Sequence, residues 1–309
     1  MLPNNIPVEK LVAAGLVLDG AMATELEARG CDLTDALWSA KVLIENPELI
    51  YQVHYDYFNA GAQVAITASY QATPQGFAKR GLDEQTSLAL IARSVELASR
   101  ARADYQATNP QAGSLLIAGS VGPYGAYLAD GSEYRGDYSL PQPAMMDFHR
   151  PRIRALVEAG ADILACETLP SFAEIQALVA VLAEFPNIPA WFSFTLRDGD
   201  LSDGTPLREV VALLDNCPQA VALGLNCIAL DQVTAALRTL SALTSKPLVV
   251  YPNSGEQYDA TSKTWHSDAS TCTLTDNLSA WQAAGAKMIG GCCRTTPADI
   301  SAIAKRCSR

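Results

Sequence analysis

Ala60-Gly61-Ala62-Gln63-Val64-Ala65-Ile66-Thr67 decides the architecture, because the chain returns to the same phrase twice more. Ala159-Gly160-Ala161 runs into Ile163-Leu164-Ala165-Cys166, and Ala284-Gly285-Ala286 into Met288-Ile289-Gly290. Each copy reads as a helix stopping at a glycine and passing into a buried strand. Glycine just past a helix takes the left-handed conformation without steric cost, and a short unbroken apolar run between turn residues suits a strand covered on both faces. The phrase is therefore the joint of a repeated βα unit.

Working outward, five more runs have this character: Leu16-Val17-Leu18, Leu115-Leu116-Ile117-Ala118, Ala190 to Thr195, Ala220 to Leu225 and Pro247 to Tyr251. With the three above they make eight strands. Helix starts fall between them. Pro47 opens a run with Ile50, Val53 and Tyr57 on one face, Ser171 and Glu174 are spaced as a capping box, and Thr205-Pro206 and Thr296-Pro297 read as N-cap plus first-turn proline. Eight βα units in 309 residues fit a single (β/α)8 TIM barrel over residues 1–309, a fold that takes roughly 250 residues plus insertions. An open doubly wound sheet is the alternative, but Gly119, Gly122 and Gly125 are not spaced as a dinucleotide fingerprint.

The 49% hydrophobic content supplies a large core and excludes disorder as the main state. With 22 Lys plus Arg against 33 Asp plus Glu, the net charge of −11 argues against nucleic-acid or anionic-membrane partners and favours small cationic or zwitterionic ligands. Residues 1–10 lack the apolar core of a signal peptide, so a cytoplasmic location is expected. In that reducing setting eight cysteines read as thiols or metal ligands more readily than as bridges.

In such a barrel the active site gathers at the C-terminal ends of the strands. Cys227 follows the sixth strand, and Cys292 and Cys293 follow the eighth behind Gly290-Gly291. They should converge, with the glycines giving the backbone freedom to turn both sulfurs to one metal. Thiolates select zinc, and three protein ligands leave an open position for chemistry. Cys31, Cys166, Cys217, Cys272 and Cys307 stand singly and are read as ordinary small residues. His54, His149 and His266 form no metal pattern and are given no role.

Leu18-Asp19-Gly20-Ala21-Met22-Ala23-Thr24-Glu25-Leu26, Ile66-Thr67-Ala68-Ser69-Tyr70-Gln71-Ala72, Gly119-Ser120-Val121-Gly122-Pro123-Tyr124-Gly125, Cys166-Glu167-Thr168, Gly224-Leu225-Asn226-Cys227 and Gly290-Gly291-Cys292-Cys293-Arg294-Thr295-Thr296-Pro297 together resemble the motif set of homocysteine S-methyltransferases. The resemblance is nearest to the S-methylmethionine-dependent members, through residues 124–138 and Tyr251 to Glu256. It implies one zinc per chain on Cys227, Cys292 and Cys293. It also implies methyl transfer from a sulfonium, S-methylmethionine or S-adenosylmethionine, to the thiolate of L-homocysteine, giving methionine.

On the same ground Asp19 with Gly20, and Glu167, face the homocysteine amino group, where a carboxylate makes a charge-assisted hydrogen bond. Ser69 and Asn253 are further homocysteine-side candidates, although Ser and Asn also serve turns and caps. Trp38 and Tyr70 align with donor-contacting positions of the betaine-dependent relatives, and Tyr124, Tyr127 and Tyr134 border the same rim. Aromatic faces attract a cation by roughly 0.5–2 kcal/mol each. The acidic stretch Asp130 to Asp137 reads as a solvated loop. Two other readings stand beside this one: a zinc or thiol barrel without catalysis, and homocysteine methylation from another donor such as betaine.

Overall fold

The computed structural model describes residues 6–33, 37, 39–255, 257–259, 264–266 and 273–307. Its eight parallel strands are β1 (Leu16–Val17), β2 (Val64–Ile66), β3 (Leu116–Val121), β4 (Ile163–Leu169), β5 (Ala190–Phe194), β6 (Ala220–Asn226), β7 (Leu248–Tyr251) and β8 (Ala286–Ile289). They pair in the order β1-β8-β7-β6-β5-β4-β3-β2. A parallel bridge between Leu18 and Val64, with the Asp19 amide donating to the Val64 carbonyl at 3.0 Å, joins the two ends of the sheet. The result is a (β/α)8 TIM barrel.

The three repeated joints behave as their sequence requires. Gly61, Gly160 and Gly285 have φ of +103°, +93° and +98° directly after their helices. Two helix starts differ from expectation. The Ser171 hydroxyl does cap its helix by accepting from the Glu174 amide, but the Glu174 side chain does not return the bond; it turns inward to Tyr124, Tyr138 and His149. Pro206, not Thr205, is the N-cap of the helix Leu207–Asp215.

Side chains alternate across each strand and feed two separate apolar layers. One faces the surrounding helices. The other fills the barrel interior with Leu16, Leu18, Val64, Leu116, Ala118, Ile163, Ala165, Trp191, Ala222, Val249, Tyr251 and Met288. The helix Val8–Ala14 closes the lower mouth, its Val8, Leu11 and Val12 packing into this interior layer. Fully burying one such side chain stabilises by about 1.5–3 kcal/mol, so the lower barrel is a solid support for what lies above. Among the described residues no helix is long and apolar enough to cross a membrane.

Strands β3, β4 and β6 run further than the apolar runs suggested. Ser120 pairs with Ala165, Leu169 with Phe194, and Asn226 with Tyr251. Ser120, Glu167 and Asn226 therefore sit on rigid strand ends and not in loops, at 0%, 6% and 1% exposure.

Candidate active site

The three cysteines converge. Cys227 follows β6 and donates its amide to the Tyr251 carbonyl at 3.3 Å, while Cys292, after β8, donates to the Pro252 carbonyl at 2.7 Å. The sulfurs of Cys227, Cys292 and Cys293 all lie within 4.8 Å of one another, the only such group of potential metal ligands among the described residues. Here Cys227 and Cys292 are joined as a disulfide with Cα atoms 5.6 Å apart, and Cys293 is free. Ligation of one metal by all three sulfurs takes this pair in its reduced, thiolate form. Burial pushes the Cys293 thiol up to about 11.

Gly290 and Gly291 are needed for a different reason from the one expected. Neither has positive φ; a Cβ on Gly290 would lie 2.6 Å from the Leu18 Cβ and 2.7 Å from the Asp19 carbonyl, and one on Gly291 would meet Thr295. Space, not conformational freedom, excludes a side chain. The unusual backbone belongs to Cys227 (φ +51°), Arg294 (φ +66°) and Thr168 (φ +59°), each directly after a strand-end residue or cysteine of the pocket.

Above the sulfurs opens a pocket of about 200 Å³ whose walls include Asp19, Gly20, Tyr70, Tyr134 and Glu167. Asp19 is 2% exposed, and its Oδ2 accepts from the Ile66 amide at 2.8 Å. Its burial and the nearby Glu167 charge hold its carboxyl well above the usual range. Glu167 accepts from Ser120 through Oε1 and from the Tyr251 hydroxyl through Oε2, the latter at 2.8 Å. Burial pushes it up to about 7 against these hydrogen bonds and the Arg152 charge.

Of the other expected residues, Ser69 and Asn253 do not line the pocket. The Ser69 hydroxyl donates to the Ser120 carbonyl at 2.8 Å and lies 2.7 Å from the Thr67 hydroxyl, which fixes it inside the wall. Asn253 is anchored through its amide to the Ile228 carbonyl, with Oδ1 buried. Trp38 lies outside the described residues, as does Cys272. Tyr124 and Tyr127 pack against Phe148 with ring centroids 5.0 and 5.5 Å away and stay out of the pocket. Tyr134 does reach it, from a loop in which Asp130 and Asp137 are exposed and paired with Arg135.

Two groups were missed. Beneath Glu167, Tyr251 accepts from Trp191 Nε1 at 2.9 Å and lies 2.7 Å from the Ser193 hydroxyl. Ser193 in turn is 2.7 Å from Asn226 Oδ1, which accepts from the Thr168 amide while Nδ2 donates to the Thr168 hydroxyl. The signal was the position of Ser193, Asn226 and Tyr251 near strand C-terminal ends.

The second group lies outside the pocket. Glu174 accepts from the Tyr124 amide at 2.6 Å, from Tyr138, and from His149 Nε2 at 2.7 Å. Arg152 donates to His149 Nδ1 at 3.0 Å, to the Tyr70 carbonyl at 2.7 Å and to the Gly122 carbonyl at 2.6 Å. His149 thus serves as a neutral imidazole, with burial lowering its pKa. This group holds the backbone behind Tyr70.

A model of the family described as "Homocysteine S-methyltransferase" matches residues 16–307. The chain belongs to the homocysteine S-methyltransferase family. A homocysteine S-methyltransferase of Escherichia coli is 70% identical over 94% of this chain and 94% of its own length. The fold matches a crystal structure described as the metallated form of the homocysteine methyltransferase MmuM of E. coli, with TM-score 0.88, 66% identity, and 95% and 96% of the two chains covered. An oxidized form of the same protein matches with TM-score 0.88 and 67% identity, covering the same shares.

Proposed function

We propose that this chain is a homocysteine S-methyltransferase that forms methionine from a sulfonium donor such as S-methylmethionine, with one zinc held by Cys227, Cys292 and Cys293. The observation that carries the reading is that three sulfurs and two buried carboxylates open onto one pocket. Homocysteine is a thiol bearing an ammonium, and each of its two groups finds its chemical complement there.

Three sulfur donors on strand ends, once reduced, make a set that suits zinc and leaves a fourth position open. Bound zinc would supply the acidity that makes a thiol a thiolate at neutral pH. A closed structural site takes four protein ligands, and the described residues bring three together, which favours a catalytic role over a purely structural one.

The rest of the work falls to the chain's own residues. Asp19 and Glu167 attract the ammonium and so aim the acceptor's sulfur at the cysteine floor. Gly20 keeps the wall thin, since a Cβ there would meet the Tyr57 hydroxyl at 2.8 Å. Tyr70 and Tyr134 border the donor's side of the pocket, where aromatic faces favour a sulfonium. Attack on the methyl carbon discharges that cation, so the step needs alignment and exclusion of water and no acid or base at the carbon.

The test is reduced, zinc-loaded protein with homocysteine and, in turn, S-methylmethionine, S-adenosylmethionine and betaine. Methionine is expected with S-methylmethionine, at about one zinc per chain. Cys227→Ser, Cys292→Ser and Cys293→Ser should each lose zinc and activity with the circular dichroism unchanged. Glu167→Gln should keep its zinc and raise KM for homocysteine about 10- to 100-fold, as loss of a hydrogen bond between charges does. Zinc-replete protein that makes no methionine from any of the three donors would sink the reading.

A further inference from the structure

Four oxygens stand in a row beneath the pocket: Glu167 Oε2, the hydroxyls of Tyr251 and Ser193, and Asn226 Oδ1. The three gaps between them are 2.8, 2.7 and 2.7 Å, all hydrogen-bond distances. Each gap needs a hydrogen, because two oxygens this close without one repel. Tyr251 and Ser193 carry one apiece. Asn226 cannot contribute: its Oδ1 accepts from the Thr168 amide and its Nδ2 donates to the Thr168 hydroxyl, both at 2.7 Å, which fixes the amide with oxygen toward Ser193. Trp191 Nε1 cannot either, since it already donates to Tyr251 from the side. Two hydrogens therefore serve three gaps, and the row is one short.

A proton on Glu167 supplies the third. Glu167 then donates to Tyr251, Tyr251 to Ser193 and Ser193 to Asn226, and every gap is filled. With the carboxylate ionised Tyr251 donates to Glu167, and the single Ser193 hydrogen can fill only one of its two gaps, to Tyr251 or to Asn226, so one is left empty.

We infer that Glu167 carries a proton in the substrate-free pocket, held there by the row through Tyr251 and Ser193 to Asn226, and releases it to solvent when the acceptor's ammonium arrives. The inference rests on the proposed reading of the pocket as a homocysteine site. The groups facing Glu167 act in both directions. Asp19 across the pocket, and the Tyr70, Cys166 and Tyr251 groups beside it, oppose its charge, while Arg152 and the Ser120 hydroxyl favour it. The lift of its carboxyl to about 7 by burial agrees with the hydrogen count. An incoming ammonium tips the balance, repaying the lost link with a charge-assisted hydrogen bond. Glu167 is then a substrate-binding group whose protonation tracks occupancy, and Ser193 a positioning residue acting through Tyr251.

The infrared carbonyl stretch of a protonated carboxyl reads this directly. Empty wild-type protein at about pH 6 should show a buried carboxylic-acid band that Glu167→Gln lacks and that fades through neutral pH. Homocysteine added at that pH should remove it. Ser193→Ala leaves the Tyr251 hydrogen with only Glu167 to serve, so the band should fade at a lower pH than in wild type, and this variant reads the row even where Glu167→Gln misfolds. A wild-type spectrum without the band, a band that survives in folded Glu167→Gln and so belongs to Asp19, or an unmoved midpoint in Ser193→Ala overturns the inference. The two readings fail separately: methionine formed with no band lost on binding defeats this one alone, and a band that titrates as described in a protein making no methionine defeats only the proposed reaction.

Discussion

Glu167 and Glu174 lie one strand end and one helix turn apart, and both are buried, at 6% and 0% exposure, yet they stand in opposite surroundings. Glu174 meets three donors, an amide, a phenol and an imidazole N–H, with Arg152 donating to the far nitrogen of that imidazole. Its lone pairs are occupied by the protein itself, and no ligand is needed to complete it. Glu167 meets two hydroxyls, one of them in a row short of a hydrogen, and opens onto the pocket. The same side chain is a strut in one place and a receptor in the other. What separates them is not burial but whether the fold finishes the carboxylate's hydrogen bonding.

That contrast can be broken at its structural end first. Glu174→Ala strands the His149 and Arg152 polar atoms in the interior, and removing one partner of a buried charged group costs about 3–5 kcal/mol. The expected result is a chemical-denaturation midpoint far below wild type, with Glu167→Gln close to wild type near neutral pH.

The next effect lies at the receptor end. The folded state lifts Glu167 to about 7, whereas the unfolded chain returns it to roughly 4.3. The folded protein thus binds this proton more tightly. The group's stabilisation is complete below the unfolded value and is lost as pH rises through about 7, a change of roughly 3–4 kcal/mol in unfolding free energy. Glu167→Gln should flatten that part of the stability profile between about pH 4 and 7, measured by urea melts across the range. A variant with the wild-type slope would place the lifted proton elsewhere.

The smallest effect sharpens the strut. Tyr138→Phe removes one of the three donors to Glu174 and should cost about 1 kcal/mol, visible in the melt, with KM for homocysteine unmoved. A changed KM would mean that the strut reaches the pocket more strongly than its geometry implies.

The sequence made the barrel legible through its joints, since a glycine after a helix and an apolar run are local signals with local causes. It also made the cysteine floor and the Asp19–Glu167 pair legible, because strand ends in a barrel have only one place to meet. It failed where a residue's use depends on partners far along the chain. Glu174 has the spacing of a capping residue, and only the fold shows that Tyr124, Tyr138 and His149 claim its oxygens first. Ser69 shares a motif with Tyr70, but strand geometry turns it into the wall. The row from Glu167 to Asn226 draws on β4, β5, β6 and β7, so no spacing in the sequence could announce it. Gly290-Gly291 was legible as a requirement and misread as to cause.

Thr168, Cys227 and Arg294 keep left-handed backbones without being glycine, and each such residue holds about 1–3 kcal/mol of strain. Selection for heat resistance alone would favour glycine or asparagine at such positions, although at Thr168 that change also removes the hydroxyl that holds Asn226. It could not do so at Cys227 without surrendering a sulfur. Among the three, Cys227 is therefore where durability and chemistry compete for one residue, and the tolerance of this protein to further mutation is set in part by a strain it has no neutral way to discard.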